Sequence, residues 1–556
     1  MRLNQTSLIL LIILATALTA SGMLFPVLGS TFSPYYGVIA KHIVTHNDWI
    51  NLTLAGQDWL DKPHLPFWIT AISFKIFGIN SFAYILPGFI FNLIGACYTY
   101  KLSRIWYNVN TSLLSVLLYL STLHLMLSSI DVRAEAYLLG EIIPACYYLL
   151  KFYNTRLLRY LLLGSLFSGL ALMTKGMFVL VTIGSGIICL WLYNKQFKNF
   201  IDYRWWLYLV LTLIIATPEL LSLYLQFDLH PEKIVFNMSH VSGIKWFVWD
   251  SQFGRFFNTG PIATTNPMPY HWLFFVHTFL WAFLPWWPLF FYSVGKIIIS
   301  IIKKQLQMAN VFLLGSFVIT FVLFSATSFQ VDHYTNIIFP FACIITAKSM
   351  VELIENDHHS KVLTIIQTIL SIFFMLVVVV ISYLLFNFII FGSISILVIC
   401  LIAYTISGLY RRNITQQLIF SPLLAMLLLF VIAMCVNGIG YINYDVGYNM
   451  AKYLNAQEAT NIIAYRLDSM PLKNAEFHSK AQVYYYSESL PLQHLSGTWY
   501  IITPSENANK ILTDNKNARL QQIISGCEIG TYLANLKDKT QLVNQLSKYA
   551  IIKVNN

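Results

Sequence analysis

Charge is what this chain has least of. Only 11% of its 556 residues are Asp, Glu, Lys or Arg, where soluble domains carry roughly 25%. That shortage excludes an ordinary soluble protein of this length. Cysteine is sparse as well: six of the seven (Cys97, Cys146, Cys189, Cys343, Cys400 and Cys435) lie in apolar segments, and Cys527 stands alone near the end. No disulfide framework or CxxC pattern follows, and no His/Cys pair has the spacing of metal ligands. Internal repeats, low-complexity runs and a strong inverted-repeat signal of the kind many transporters carry are missing too. What fills the chain instead is apolar: 57% hydrophobic and 16% aromatic residues, in runs of about 20 that recur throughout, each long enough to cross a bilayer. The predicted fold class is an all-α polytopic membrane protein. The formal charge of +11 is read as topological, not as the mark of a nucleic-acid partner.

About thirteen candidate spans are expected, near 7–29, 81–100, 112–130, 135–152, 159–174, 177–194, 205–225, 271–295, 309–327, 334–351, 362–386, 390–409 and 418–438. The first exceeds signal-peptide length, has only Arg2 before it and lacks a convincing cleavage site, so it is read as a retained span. Alternation then puts Arg2, Lys101/Arg104, Lys151/Arg156/Arg159, Lys195/Lys198/Arg204, Lys296/Lys303/Lys304, Lys348/Lys361 and Arg411/Arg412 on one side. The positive-inside rule makes that side cytoplasmic, with the N-terminus inside and the chain beyond about Gly440 outside. The last 115 or so residues are more charged. A strand at Gly497–Thr503, closed by Pro504, and helical patterns at 507–512 and 540–549 predict a small extracytoplasmic α/β domain. The division expected is a transmembrane domain 1–439, with outer loops 30–80 and 226–270, and a domain 440–556.

The remaining polar islands all fall on the outer face. GQDWLDKPHLPFWI (56–69) places Asp58, Asp61, Lys62 and His64 among Trp59, Pro63, Pro66 and Trp68. It reads as an interfacial helix, or as an anchored loop with a local ion pair. Asp131, Arg133 and Glu135 stand between two spans. Capping accounts for acids there but not for Arg133, so the three charges beside lipid point to a functional cavity. Lys175, in Met173-Thr174-Lys175-Gly176, is a snorkelling lysine or a point charge for phosphate. Arg255, in the loop 226–270, could grip phosphate bidentately, and Asp332-His333-Tyr334 opens another span. Carboxylates and cations around an outer cavity suit a substrate with an anionic headgroup and a lipid tail. The cations would stabilise a departing phosphate, and a carboxylate would take a proton or steady an oxocarbenium-like sugar.

Together these motifs resemble the GT-C membrane glycosyltransferases, in the branch containing the aminoarabinose transferase of lipid A and the protein O-mannosyltransferases. The resemblance rests on Tyr36-Gly37-Val38-Ile39-Ala40, Asn47-Asp48-Trp49, Asp61-Lys62-Pro63 with Phe67-Trp68, Asp131, Met173 to Gly176, Gln252 to Phe256, Leu284-Pro285-Trp286 and Tyr334. It covers roughly residues 1–350. It implies Asp61 and Asp131 as catalytic carboxylates, and Lys62, Lys175, Arg255 and Tyr334 as donor or phosphate contacts. Tyr36, Arg133, Glu135 and His333 complete the expected cavity, with no metal ligands among them. The implied activity moves a sugar, perhaps an amino sugar, from a polyprenyl-phosphate donor to lipid A or a related envelope acceptor at the periplasmic face of the inner membrane. The sequence requires no cofactor and leaves divalent-metal dependence open. One departure is that Thr31-Phe32-Ser33-Pro34-Tyr35 lacks the carboxylate usual before the Tyr-Ala helix. That favours an acceptor phosphate, already anionic at neutral pH, over a hydroxyl that needs a base; it is also compatible with Asp61 or Asp131 taking over, or with an inactive scaffold. Transfer to protein or another glycan, and transport of a lipid-linked sugar, stay as alternatives.

Overall fold

A segment in lipid must satisfy its own backbone N–H and C=O groups, so apolar runs of this length form helices. The computed structural model describes every residue except 1–3, 29–32, 262, 264–270, 328, 357–359, 468–469, 489, 491–495 and 556, and leaves aside the side chains of Ser33, Arg255, His271 and 470–472. Helix α1 (Gln5–Ser21) leads into α2 (Ser33–His46), a hairpin of β1 (Thr53–Leu54) and β2 (Gln57–Asp58), and α3 (Leu65–Phe77). The bundle continues through α4 (Ser81–Ser103), α5 (Val109–Leu120), α6 (Leu123–Ser128), α7 (Ala134–Thr155), α8 (Leu158–Lys175) and α9 (Val179–Tyr193). Then come α10 (Tyr203–Ile215), α11 (Thr217–Leu223), the one-turn helices α12 (Gly243–Lys245) and α13 (Arg255–Phe257), α14 (His271–Ala282), α15 (Trp287–Ile302) and α16 (Met308–Ser325). A 3-10 turn at Asp332–Ile338 opens α17 (Phe339–Glu355), followed by α18 (Lys361–Leu385), α19 (Phe388–Tyr410) and α20 (Ser421–Cys435).

A helix occupies each of the thirteen expected positions, but not every one is a straight crossing. By length and composition seven helices among the described residues can span a membrane, or nine if each bent pair is one span. The segment read as 205–225 breaks by 44° between α10 and α11, and that read as 271–295 turns by 116° between α14 and α15. Proline is the cause. Pro218 and Pro288 stand in the first turns of α11 and α15, where a missing N–H costs nothing but continuation of the preceding helix is blocked. The stretch 56–69 also departs from the interfacial helix expected of it. Ala55 and Gly56, both at positive φ, turn a short hairpin, and helix begins only at Leu65, with Pro66 in its first turn.

Helix α7 carries the Asp131–Glu135 cluster at its head, and its position is set by glycine. Side chains at Gly95 of α4 and Gly140 of α7 would meet the facing helix's backbone: a Cβ on Gly140 would lie 2.5 Å from the Phe91 carbonyl oxygen, and one on Gly95 would lie 2.9 Å from that of Leu139. Small residues let membrane helices pack this closely where lipid supplies no hydrophobic drive. Gly140→Ala is therefore expected to destabilise the protein by about 1–3 kcal/mol, seen as a lower thermal midpoint in detergent.

The tail adds α21 (Val446–Ala456), β3 (Asn461–Tyr465), α22 (Met470–His478), β4 (Gln482–Tyr486), β5 (Thr498–Pro504), α23 (Ser505–Asp514), β6 (Ala518–Gly526), α24 (Ile529–Ala534), α25 (Lys539–Asn544) and β7 (Ser547–Asn555). Its sheet runs β4-β3-β5-β7-β6, parallel across the first three strands and antiparallel across the rest. The helix expected over 540–549 stops at Asn544. Beyond it Ala550, Ile551, Ile552 and Val554 are buried in β7, an apolar, β-branched run that suits an inner strand.

Helix α22 docks on α2. Phe477 packs against Tyr84 at 5.5 Å between ring centroids. Buried Lys41 donates to the Glu476 and Ser479 carbonyl oxygens, each at 2.6 Å, and His42 Nε2 lies 2.6 Å from Glu476 Oε1. Burial lowers the Lys41 pKa from 10.5 to about 8, with Glu476 opposing the shift. Between those values the unfolded chain holds a proton that the folded one has released, so this contact gains stability as pH rises from 8 toward 10.5. Protection of α22 against hydrogen exchange, relative to the base-catalysed intrinsic rate, should increase across that window, and Lys41→Met should flatten the change.

Candidate active site

Pro63 and Pro66 keep 61–64 out of the helix, and a buried ion pair fixes what remains. Glu219 Oε2 accepts from the His64 backbone N–H at 2.9 Å, and Oε1 lies 3.1 Å from His64 Nδ1. On the other side of the ring, Nε2 lies 2.9 Å from the Ile50 carbonyl oxygen. Both nitrogens thus face acceptors, which is the pattern of an imidazolium. Burial alone would lower the His64 pKa; Glu219 and the Ile50 carbonyl outweigh it and raise it. Held this way, the loop presents Asp61 and Lys62, paired at 2.8 Å and partly exposed.

Across from them α8 ends in Lys175. Its ammonium contacts the Glu135 carboxylate and sits 3.6 Å from the centroid of the Tyr334 ring. Lys175 is 7% exposed and Glu135 2%, so this is a buried charge pair capped by an aromatic face. One residue earlier, Thr174 donates to Glu141 Oε1 at 2.9 Å.

Behind Lys175 a second group of charges links two loops. Arg133 does not sit beside a capping Asp131, as one reading of the sequence had it: Arg133 itself precedes α7 and makes no side-chain cap. Asp131 Oδ2 instead accepts from Arg133 Nε at 3.1 Å and Nη2 at 2.9 Å. Arg133 Nη1 lies 2.6 Å from His333 Nδ1. The same nitrogen is 3.1 Å from Asp332 Oδ1, and the ring's Nε2 is 3.7 Å from Glu135. Asp332 stands 3.9 Å from Arg133 and 3.8 Å from His124. The Tyr36 phenol is held protonated, its pKa raised well above the ordinary value by burial and then by Asp61.

Asp61, Lys62, Lys175, Glu219 and Tyr334 form the polar end of a cavity of about 280 Å³. Its other walls are mostly apolar, among them Met177, Phe178, Trp246, Phe253, Phe256 and Leu323, with Ser251, Gln252 and Thr327 between. Of the expected site residues, then, Asp61, Lys62, Lys175 and Tyr334 share this cavity. Asp131, Arg133, Glu135 and His333 sit behind its charged end, joined to it through Lys175. The Arg255 side chain, like Thr31 and Phe32, lies outside the described residues. Sequence reasoning left out the Glu219–His64 pair and the aromatic wall from the second long loop. Pro218-Glu219, an acid in the first turn after a proline break, was the one available signal for the former.

Residues 61–221 match the family model of dolichyl-phosphate-mannose-protein mannosyltransferase. Among curated proteins, undecaprenyl phosphate-alpha-4-amino-4-deoxy-L-arabinose arabinosyl transferase 2 of Proteus mirabilis is 26% identical over 307 residues, 54% of this chain and 51% of that protein. An arabinosyl transferase of the same description from Yersinia enterocolitica is 29% identical over 174 residues, 30% and 31% of the two chains. The chain thus spans about half the length, or less, of these curated relatives. In fold the likeness runs through the chain: the crystal structure of ArnT from Cupriavidus metallidurans bound to undecaprenyl phosphate superposes with a TM-score of 0.72 at 13% identity, over 99% of this chain and 98% of that one. An oligosaccharyltransferase of Archaeoglobus fulgidus in the apo form superposes with a TM-score of 0.54 at 11% identity, over 90% and 70%.

Proposed function

We propose, for a chain whose fold is that of the GT-C membrane glycosyltransferases, that it moves a sugar from a polyprenyl-phosphate donor to lipid A or a related envelope acceptor. The observation that carries this is a single cavity with two characters, charged around Lys62 and Lys175 and apolar along its aromatic walls. A donor with a phosphate at one end of an isoprenoid chain fits both parts at once. Lys62 and Lys175 receive the phosphate; Asp61, ion-paired with Lys62, steadies positive charge developing on the sugar ring. The bond from the sugar's C1 to the phosphate oxygen breaks with its electron pair going to phosphate, and C1 bonds to the acceptor oxygen. An acceptor phosphate needs no general base for this, which agrees with a chain that has no carboxylate between Thr31 and Tyr35. The positive-inside pattern supports a cavity on the periplasmic face of the inner membrane.

Mass spectrometry of lipid A and polyprenyl-phosphate lipids, with and without the gene, tests the reading. Loss of one sugar mass from lipid A with accumulation of the charged donor supports it. Donor accumulation with unchanged lipid A moves the acceptor to protein or another glycan, and no change in either removes the transfer reading. With purified protein, Lys62→Ala is expected to raise the donor KM about tenfold with a smaller effect on kcat. Unchanged constants would take Lys62 off the phosphate.

A further inference from the structure

A second cleft opens far from the charged cavity, where the membrane helices meet the tail. Its walls are the end of α18 at Leu384 and Leu385, the turns after α20 at Ile439 and Asn443, and the tail residues Tyr444, Tyr532 and Lys539. No carboxylate lines it. Three polar groups there lack a protein partner among the described residues: the Tyr444 and Tyr532 hydroxyls and the Lys539 ammonium. Tyr532 is only 6% exposed, and it lines the cleft. The fold makes room for it: a Cβ on Gly440 would collide with its hydroxyl. Asn443 offers its amide, which makes only a 3.5 Å contact to the Ile439 carbonyl. The neighbouring acid, Asp538, is occupied in capping α25, accepting from the Thr540 and Gln541 N–H groups at 3.0 and 2.9 Å.

The rim is apolar. Ile439 is 54% exposed, and Phe388, Ile389, Leu533 and Val543 also project outward. Helix ends of a bundle mark the level of lipid headgroups, and apolar side chains on α24 and α25 bring the tail down to that level. A basic group, hydroxyls and an amide at headgroup depth, above an apolar slope, match a phosphodiester with acyl chains beneath it.

We propose that this cleft binds the headgroup of an anionic glycerophospholipid, with Lys539 as counter-charge, Tyr444, Tyr532 and Asn443 as hydrogen-bonding partners, and the acyl chains lying along Leu384, Leu385 and Ile439. The bound lipid ties the tail to the bilayer beside α24 and α25. It is separate from the donor cavity and holds whatever the acceptor is.

The test is native mass spectrometry of the full chain in detergent, titrated with phosphatidylglycerol. The unaltered protein is expected to retain one tightly bound lipid. Lys539→Glu and Asn443→Asp, both at exposed positions, should weaken it about tenfold. Lys516→Glu, on the exposed turn between α23 and β6, should leave it unchanged. Equal binding by the Lys539 and Lys516 variants overturns the proposal. So does equal retention of phosphatidylcholine, or displacement of the lipid by millimolar inorganic phosphate, which would make the cleft a free-anion site.

Discussion

Lys175→Met is expected to lower transfer by on the order of a hundred- to a thousandfold, the range for losing one preorganised group that stabilises developing charge. The expectation rests on where the ammonium sits. It lies at the head of the apolar cavity, against Glu135 and the face of Tyr334, so a departing phosphate would meet a cation already in place. The same change should cost stability, because Glu135 is 2% exposed and breaking a buried pair typically costs about 3–5 kcal/mol. The two effects can be separated. Lys175→Met combined with Glu135→Gln removes the stranded carboxylate and should recover most of the thermal midpoint while transfer stays low. Recovery of both together would make Lys175 a structural residue and nothing more.

Asp131→Asn is expected to reduce transfer about a hundredfold while the protein still inserts and folds. The carboxylate receives two hydrogen bonds from Arg133 on one oxygen, and charge-assisted bonds of this kind are roughly twice as strong as neutral ones. With an amide in its place, Arg133 is drawn toward Asp332 and His333, and the support behind Lys175 shifts. Arg133→Met should then be nearly as damaging, and the double variant little worse than either alone, the non-additivity of groups that act as a unit. Normal transfer by Asp131→Asn would remove that carboxylate from the site.

The helical architecture was legible because lipid permits little else: a run of about 20 apolar residues has only one way to satisfy its backbone. Prolines told where helices begin, yet the bends at Pro218 and between α14 and α15 were read through as continuous spans, since hydropathy is blind to direction. In the cavity, Asp61, Lys62, Lys175 and Tyr334 stood out as charges or polar rings beside lipid. Their partners did not. Glu219 meets His64 across 155 positions, and Glu135 meets Lys175 across 40; such pairings depend on how helices pack, which no local pattern records. Ser547 to Tyr549, read as the end of a helix over 540–549, opens β7 instead for the same reason. Its neighbours in the sheet, not its own spacing, make it a strand.

The contact of Lys41 with the carbonyls of Glu476 and Ser479 joins positions some 435 residues apart. Translation delivers the first of these long before the second. Helix α2, which carries Tyr36 next to Asp61, therefore waits in the half-made protein without the surface it finally rests on. A chain stopped between residues 440 and 476 has all the membrane helices through α20 but not the carbonyls on which Lys41 rests. Seating of α2 is thus tied to the arrival of α22, so fragments that stop short of it lack the surface that holds Lys41.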